Sequence, residues 1–118
     1  MPEHRLKALN PLGGDSAKVE TFDVFTISEN PDLALASLAC RAGQANNFTK
    51  AARKHFGFEM PGPGASAGKT PFTAIWIGPD QWMIEAPFET HEEIAAELKA
   101  AFGGSASVTE QTDGWACF

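Results

Sequence analysis

The residues with most chemical capacity in this 118-residue chain are few and dispersed. It has two cysteines, Cys40 and Cys117, and three histidines, His4, His55 and His91, with no Cys-x-x-Cys. A structural zinc site needs four clustered ligands, and the linear sequence offers no such cluster. The cysteines read as reduced thiols at core positions. His55 and His91 have the residue type of general bases, but neither stands in a recognisable context with a Ser or Cys nucleophile. His55 borders an apolar face and His91 falls in the first turn of an expected helix, so packing and surface polarity explain them.

The segment Gly64-Ala65-Ser66-Ala67-Gly68-Lys69-Thr70 invites comparison with a phosphate-binding P-loop. That motif needs Gly, four residues, then Gly-Lys-Ser/Thr, and it must open a helix whose amides reach the phosphate. Here the spacing is one residue short, and Pro71 and a strand follow. A connector is expected. Arg41, Lys50, Arg53 and Lys54 concentrate positive charge within residues 41–54. A solvated helix face is the simplest reading, with an acidic partner surface or a polyanionic ligand as alternatives. Asp80, Glu85, Glu110 and Asp113 fall at strand ends, where paired carboxylates could exchange protons, but spacing alone does not pair them. Trp76, Trp82 and Trp115 could stack on a ring cofactor, although aromatics in strands usually fill the core. No catalytic, cofactor-binding or metal-ligating residue is therefore assigned.

The elements that would position these groups follow from periodicity. Thr21–Ser28 is β-branched and aromatic and predicts a strand, followed by a turn at Glu29–Asp32. Leu33–Arg41 is ambiguous: Ala and Leu favour helix, while the preceding turn and a better helix beyond Gly43 favour a strand, the preferred reading. A helix is expected over Asn46–Phe56, capped by Asn46 or Asn47, with Phe48, Ala52, His55 and Phe56 on one face and Gly57 stopping it. Pro61–Pro71 reads as a flexible loop. Phe72–Ile77 is apolar on both faces and predicts an inner strand, turning at Gly78-Pro79-Asp80 into a strand at Trp82–Glu85. Thr90 and Glu93 suggest a capping box for a helix burying Ile94, Leu98 and Ala101 and ending at Gly103. Ala106–Glu110 is a further strand, and Asp113-Gly114 signals a hairpin into Trp115–Phe118. The expected class is α+β, a ferredoxin-like βαββαβ unit with helices on one face of an antiparallel sheet.

Size and charge set outer bounds. The length fits one domain, and a net charge of −6 with a pI near 4.9 argues against a general nucleic-acid or anionic-membrane partner. No apolar run approaches the ~20 residues of a membrane span, and Met1–Asn10 lacks the apolar core of a secretory signal.

Four segments, LALASLACRAG (33–43), PGPG (61–64), WIGPDQWMIEAP (76–87) and SVTEQTDGWACF (107–118), together resemble the gamma subunit of bacterial heterotetrameric sarcosine oxidase. Gly-Pro-Asp-Gln-Trp is the most telling piece. These are turns beside Trp, marks of ancestry rather than reactivity. The resemblance implies residues 1–20 as an N-terminal arm and 21–118 as a gamma-like domain, with a fold akin to the folate-binding domain of the glycine-cleavage T-protein. It also implies a cytoplasmic, non-catalytic subunit whose partners are the alpha, beta and delta chains. That complex oxidises sarcosine to glycine, transfers the one-carbon unit to tetrahydrofolate and forms hydrogen peroxide. FAD, FMN, NAD, tetrahydrofolate and zinc are expected in the partner subunits. Gamma subunits continue beyond the Trp-x-x-Phe segment, so the domain is expected to be incomplete at its C-terminus, leaving Trp115–Phe118 as an open strand edge and inviting self-association. The alternative is a small-molecule module related to folate-dependent aminomethyltransferases, with a pocket carboxylate facing the pterin.

Overall fold

Residues 7–118 are described by a computed structural model. In chain order its elements are β1 (Val19–Thr21), β2 (Thr26–Ser28), β3 (Leu33–Cys40), α1 (Ala45–Phe56), β4 (Ser66–Lys69), β5 (Phe72–Gly78), β6 (Gln81–Pro87), α2 (Ile94–Phe102) and β7 (Ala106–Glu110). Single 3₁₀ turns occur at Gly103–Ser105 and Thr112–Gly114. His4 and the start of the expected arm lie outside the described residues.

The chain divides into two units: Asp32–Thr112, and the residues up to Pro31 together with Asp113–Phe118. In the larger unit five strands form one antiparallel sheet in the order β4-β5-β6-β3-β7. Both β3 and β5 pair antiparallel with β6, so β3 and β5 run parallel with β6 between them, joined through α1 and the edge strand β4. By the same logic α2 connects β6 to β7 across β3.

Period-two alternation decides which face is covered. Ala34, Ala36 and Leu38 of β3 share one core with Phe72 and Ala74 of β5, Trp82, Ile84 and Ala86 of β6, and Ala106 of β7. Phe48, Ala52 and Phe56 of α1 and Ile94, Leu98 and Phe102 of α2 complete it, which places both helices on that face. The register sets Ala36 opposite Ile84 and Leu38 opposite Trp82. Small residues of this sheet face, Ala34, Ala36, Ala74 and Ala86, share it with the large Leu38, Phe72, Trp82 and Ile84, a mix of sizes that lets a layer interdigitate. On the other face Ile75 and Ile77 are exposed, whereas Leu35 and Met83 are buried.

The smaller unit holds the β1–β2 hairpin. Its buried Glu29 side chain accepts the Leu12 and Lys18 amides at 2.9 and 3.2 Å, giving partners to a polar group that burial would otherwise penalise. The Asn30 amide donates to the Cys117 carbonyl at 2.7 Å.

Several local expectations need correction. Thr21–Ser28 is not one strand, because the Phe22 amide bonds the Phe25 carbonyl at 2.7 Å and folds the segment into a turn between β1 and β2. Residues 61–71 contain β4 rather than only a loop. At Gly68 a Cβ would lie 3.1 Å from Thr73 Oγ1 and 3.2 Å from the Phe72 carbonyl, so glycine permits the close approach of β4 and β5. α1 starts after Gln44 with no side-chain cap, and the Asn47 amide turns to Gln44 Oε1 instead. Thr90 does not cap α2 either, since the helix begins at Ile94 and the hydroxyl contacts His91 Nδ1 and the Pro87 carbonyl. Residues 113–118 form neither hairpin nor strand. The Thr112 hydroxyl takes the Leu35 amide at 3.0 Å and the chain leaves the sheet in a 3₁₀ turn.

Candidate functional site

A concavity of the larger unit opens where the end of β3 and the start of β6 meet the start of α1. It encloses about 220 Å³ between Cys40, Phe48, Thr49, Met60, Asp80 and Trp82, with Ala45, Ala52 and Glu59 completing the wall. Each wall residue is placed by ordinary local structure. Asp80 occupies the second corner of the β5–β6 turn, behind Pro79, at φ 56°. This left-handed conformation suits a type II turn and is tolerated by Asp better than by most non-glycine residues. The Asp80 carbonyl accepts the Cys40 amide at 3.0 Å, tying the turn to the end of β3. Trp82 stacks on Phe48 with centroids 5.3 Å apart, and its indole N–H donates to the Pro61 carbonyl at 2.8 Å.

The cleft's chemistry is muted. Burial, and secondarily the nearby Asp80 carboxylate, push the Cys40 thiol above its ordinary value. The thiolate is the nucleophile, so this environment suppresses attack at neutral pH. Glu59 is engaged by Arg53. Small-molecule sites usually enclose about 300–1,000 Å³, so the cleft falls below the size of a pterin or flavin site.

The other sequence candidates scatter. Gly64–Thr70 lies largely in β4, whose pairing with β5 occupies the segment, and β5 rather than a helix follows. Lys50, Arg53 and Lys54 are exposed on α1, and the Arg41 side chain bonds Ser107 Oγ at 3.2 Å. Of the strand-end carboxylates, Asp80 lines the cleft, Glu85 lies on β6, Glu110 contacts the Thr112 hydroxyl, and Asp113 belongs to the smaller unit. Trp82 is a core residue, Trp76 packs half-buried against that core, and Trp115 is exposed.

The fold does bring together two groups that the sequence left apart. His55, in the last turn of α1, and His91, just before α2, converge on Glu97 of α2. The Nε2–carboxylate distances are 3.2 Å for His55 and 4.0 Å for His91. The Phe72 ring contacts both imidazoles, with centroid separations of 5.2 and 5.0 Å. Linear spacing gives no sign of this meeting, which depends on α1 and α2 lying side by side on one sheet face.

No family model matches the chain, and no curated protein matches it. Among solved structures it is similar to a chain of the heterotetrameric sarcosine oxidase from Corynebacterium sp. U-96 in complex with pyrrole 2-carboxylate. The TM-score is 0.53 with 20% sequence identity over 71% of this chain. The match spans 43% of the solved chain, well under its full length. The chain therefore shares, over most of its own length, the fold of part of a heterotetrameric sarcosine oxidase chain.

Proposed function

We propose that this chain is a structural, non-catalytic component of a sarcosine oxidase-type hetero-oligomer, corresponding to the gamma subunit. The structural similarity to a chain of such a heterotetramer carries the reading. The Gly-Pro-Asp-Gln-Trp turn and the segments quoted with it supply the subunit assignment by resemblance. The order β5-β6-β3-β7, with α2 bridging β6 and β7 around β3 and with α1 and the edge strand β4 between β3 and β5, supports a ferredoxin-like unit related to the folate-binding domain of the glycine-cleavage T-protein. In this reading the alpha, beta and delta subunits hold the flavins, NAD, tetrahydrofolate and zinc, and this cytoplasmic chain contributes packing surface. Exposed Phe22, Val24, Phe25 and Ile27 in one unit, and Ile75, Ile77 and Phe88 in the other, are candidate material for such surface.

The reading is tested by mixing purified chain with the other subunits of a sarcosine oxidase-type complex and following assembly by size-exclusion chromatography. Stoichiometric co-elution is expected. Failure to associate, or peroxide formation from sarcosine by the flavin-supplemented chain alone, refutes it. The alternative of a folate-handling module is favoured by one feature, a carboxylate in an aromatic-walled cleft. The cleft's volume weighs against it, and calorimetric titration with tetrahydrofolate separates the two readings.

A further inference from the structure

The β1–β2 hairpin keeps its apolar residues in solvent. Every residue of both strands is exposed, and a two-stranded hairpin left uncovered is only marginally stable in water. Glu20 pairs with Ile27 across the hairpin, and the Phe22 and Phe25 rings stack at 4.9 Å just beyond the last pair, Thr21 with Thr26. Period-two alternation carries Phe22 to the side of Glu20 and Phe25 to the side of Ile27, so the two rings and the isoleucine share one face. That face is open: Phe22 is 49%, Phe25 54% and Ile27 42% exposed. An aromatic patch with polar residues at its edge marks a surface for protein association. The charges at this edge have one sign. Between Val19 and Ser28 the only charged residues are Glu20 and Asp23, both acidic. Glu20 lies 3.7 Å from Lys18, an exposed pair that contributes little and exchanges readily. Asp23, in the turn, enters no ion pair among the described residues.

We infer that the Phe22–Phe25–Ile27 face docks in an apolar recess of a partner subunit, where a lysine or arginine of that subunit meets Asp23 and Glu20. The inference rests on the hetero-oligomeric reading above and adds to it the docking surface and the chemistry of the partner. Charge selects this occupant over a second copy. A two-fold contact through the same face sets Glu20 and Asp23 near their own equivalents, and each chain carries a net charge of −6. A basic rim on a different subunit turns the same carboxylates into attraction and steers encounter. Phe22 and Phe25 are then the anchors, since aromatic side chains seated in a desolvated pocket carry much of the binding energy of an interface.

The test is the affinity of the full chain for the purified alpha, beta and delta subunits of a sarcosine oxidase-type complex, with association and dissociation rates followed at low and high salt. Phe22→Ser and Phe25→Ser should each weaken binding at least about tenfold, mainly through faster dissociation. Asp23→Lys, which keeps both rings, should slow association about tenfold and flatten its salt dependence. Lys99→Ala, at an exposed position on α2, is the control and should leave the affinity unchanged. Circular dichroism of every variant should match that of the unmodified chain, because the substituted side chains are exposed. Binding by the unmodified chain that is unaltered in Phe22→Ser, Phe25→Ser and Asp23→Lys overturns the inference and leaves the hetero-oligomeric reading standing. Failure of the unmodified chain to bind overturns both. A chain that dimerises by itself, and is returned to monomer by Phe25→Ser, assigns the face to a second copy and overturns the inference as well.

Discussion

Truncating Phe56 to alanine should remove more stability than any surface change in the chain. The Phe56 side chain is buried at the end of α1. Its ring meets Phe72, Phe58 and Phe102 at centroid distances of 5.1, 5.5 and 5.6 Å, and His55 at 5.3 Å. It therefore links α1 to α2 and to β5 at once. A Phe→Ala change in such a setting costs about 3–5 kcal/mol, because the neighbours close the cavity only in part. Domains of this size are stable by about 5–15 kcal/mol in total, so about a fifth or more of the stability is at stake. With a urea dependence of about 2 kcal/mol/M, the unfolding midpoint should fall by about 2 M. Trp82, stacked on Phe48 in the same core, makes tryptophan emission a suitable probe alongside circular dichroism. Val24→Ala is the control, since Val24 is 91% exposed and should change stability by no more than about 0.5 kcal/mol. A midpoint shift below about 0.5 M for Phe56→Ala, with unchanged slope, would refute the packing described here.

Three further outcomes are expected. Gly57→Ala should destabilise by about 1 kcal/mol, read from thermal unfolding, because Gly57 ends α1 at φ 80° and an added Cβ would press on the Lys69 side chain at 3.3 Å. Alkylation of Cys40 by iodoacetamide at pH 8, followed by mass spectrometry, should be slower than for a free thiol and should quicken in Asp80→Asn; since burial and then Asp80 raise the folded thiol above its ordinary 9.0, its contribution to stability is complete below that pH and declines above it, through the folded value. ATP and GTP should not bind at micromolar concentration, and Lys69→Ala should change nothing in that titration, because the segment pairs as β4 instead of cradling a phosphate.

Much of the larger unit was legible from period and punctuation. Phe72–Gly78 carries the strand residues and Gly57 and Gly103 mark helix ends, whereas Leu33–Cys40, rich in Ala and Leu, reads as a strand only from the turn before it and the helix beyond Gly43. Helix beginnings were misread for a common reason. Asn47 and Thr90 have good capping side chains, yet each has a nearer partner, Gln44 in one case and His91 with Pro87 in the other. The Gly-rich 61–71 stretch concealed β4, since Gly68 there serves close strand approach. Val24, the most exposed large apolar residue among the described residues, made Thr21–Ser28 look like one continuous strand when it sits in the turn between two. The His55–Glu97–His91 group could not be seen in one dimension, because its members meet only through the side-by-side packing of α1 and α2.

The central claim is that this chain works as part of a sarcosine oxidase-type assembly. Its most direct measurement is isolation of the tagged chain from the cells that produce it, with mass spectrometry of the co-purifying chains and an assay of sarcosine-dependent peroxide formation on the same fractions. Constant stoichiometry with flavin-carrying chains across the peak is expected, and peroxide formation that follows this chain through the column. A chain that elutes alone, while sarcosine oxidation elutes elsewhere, would contradict it.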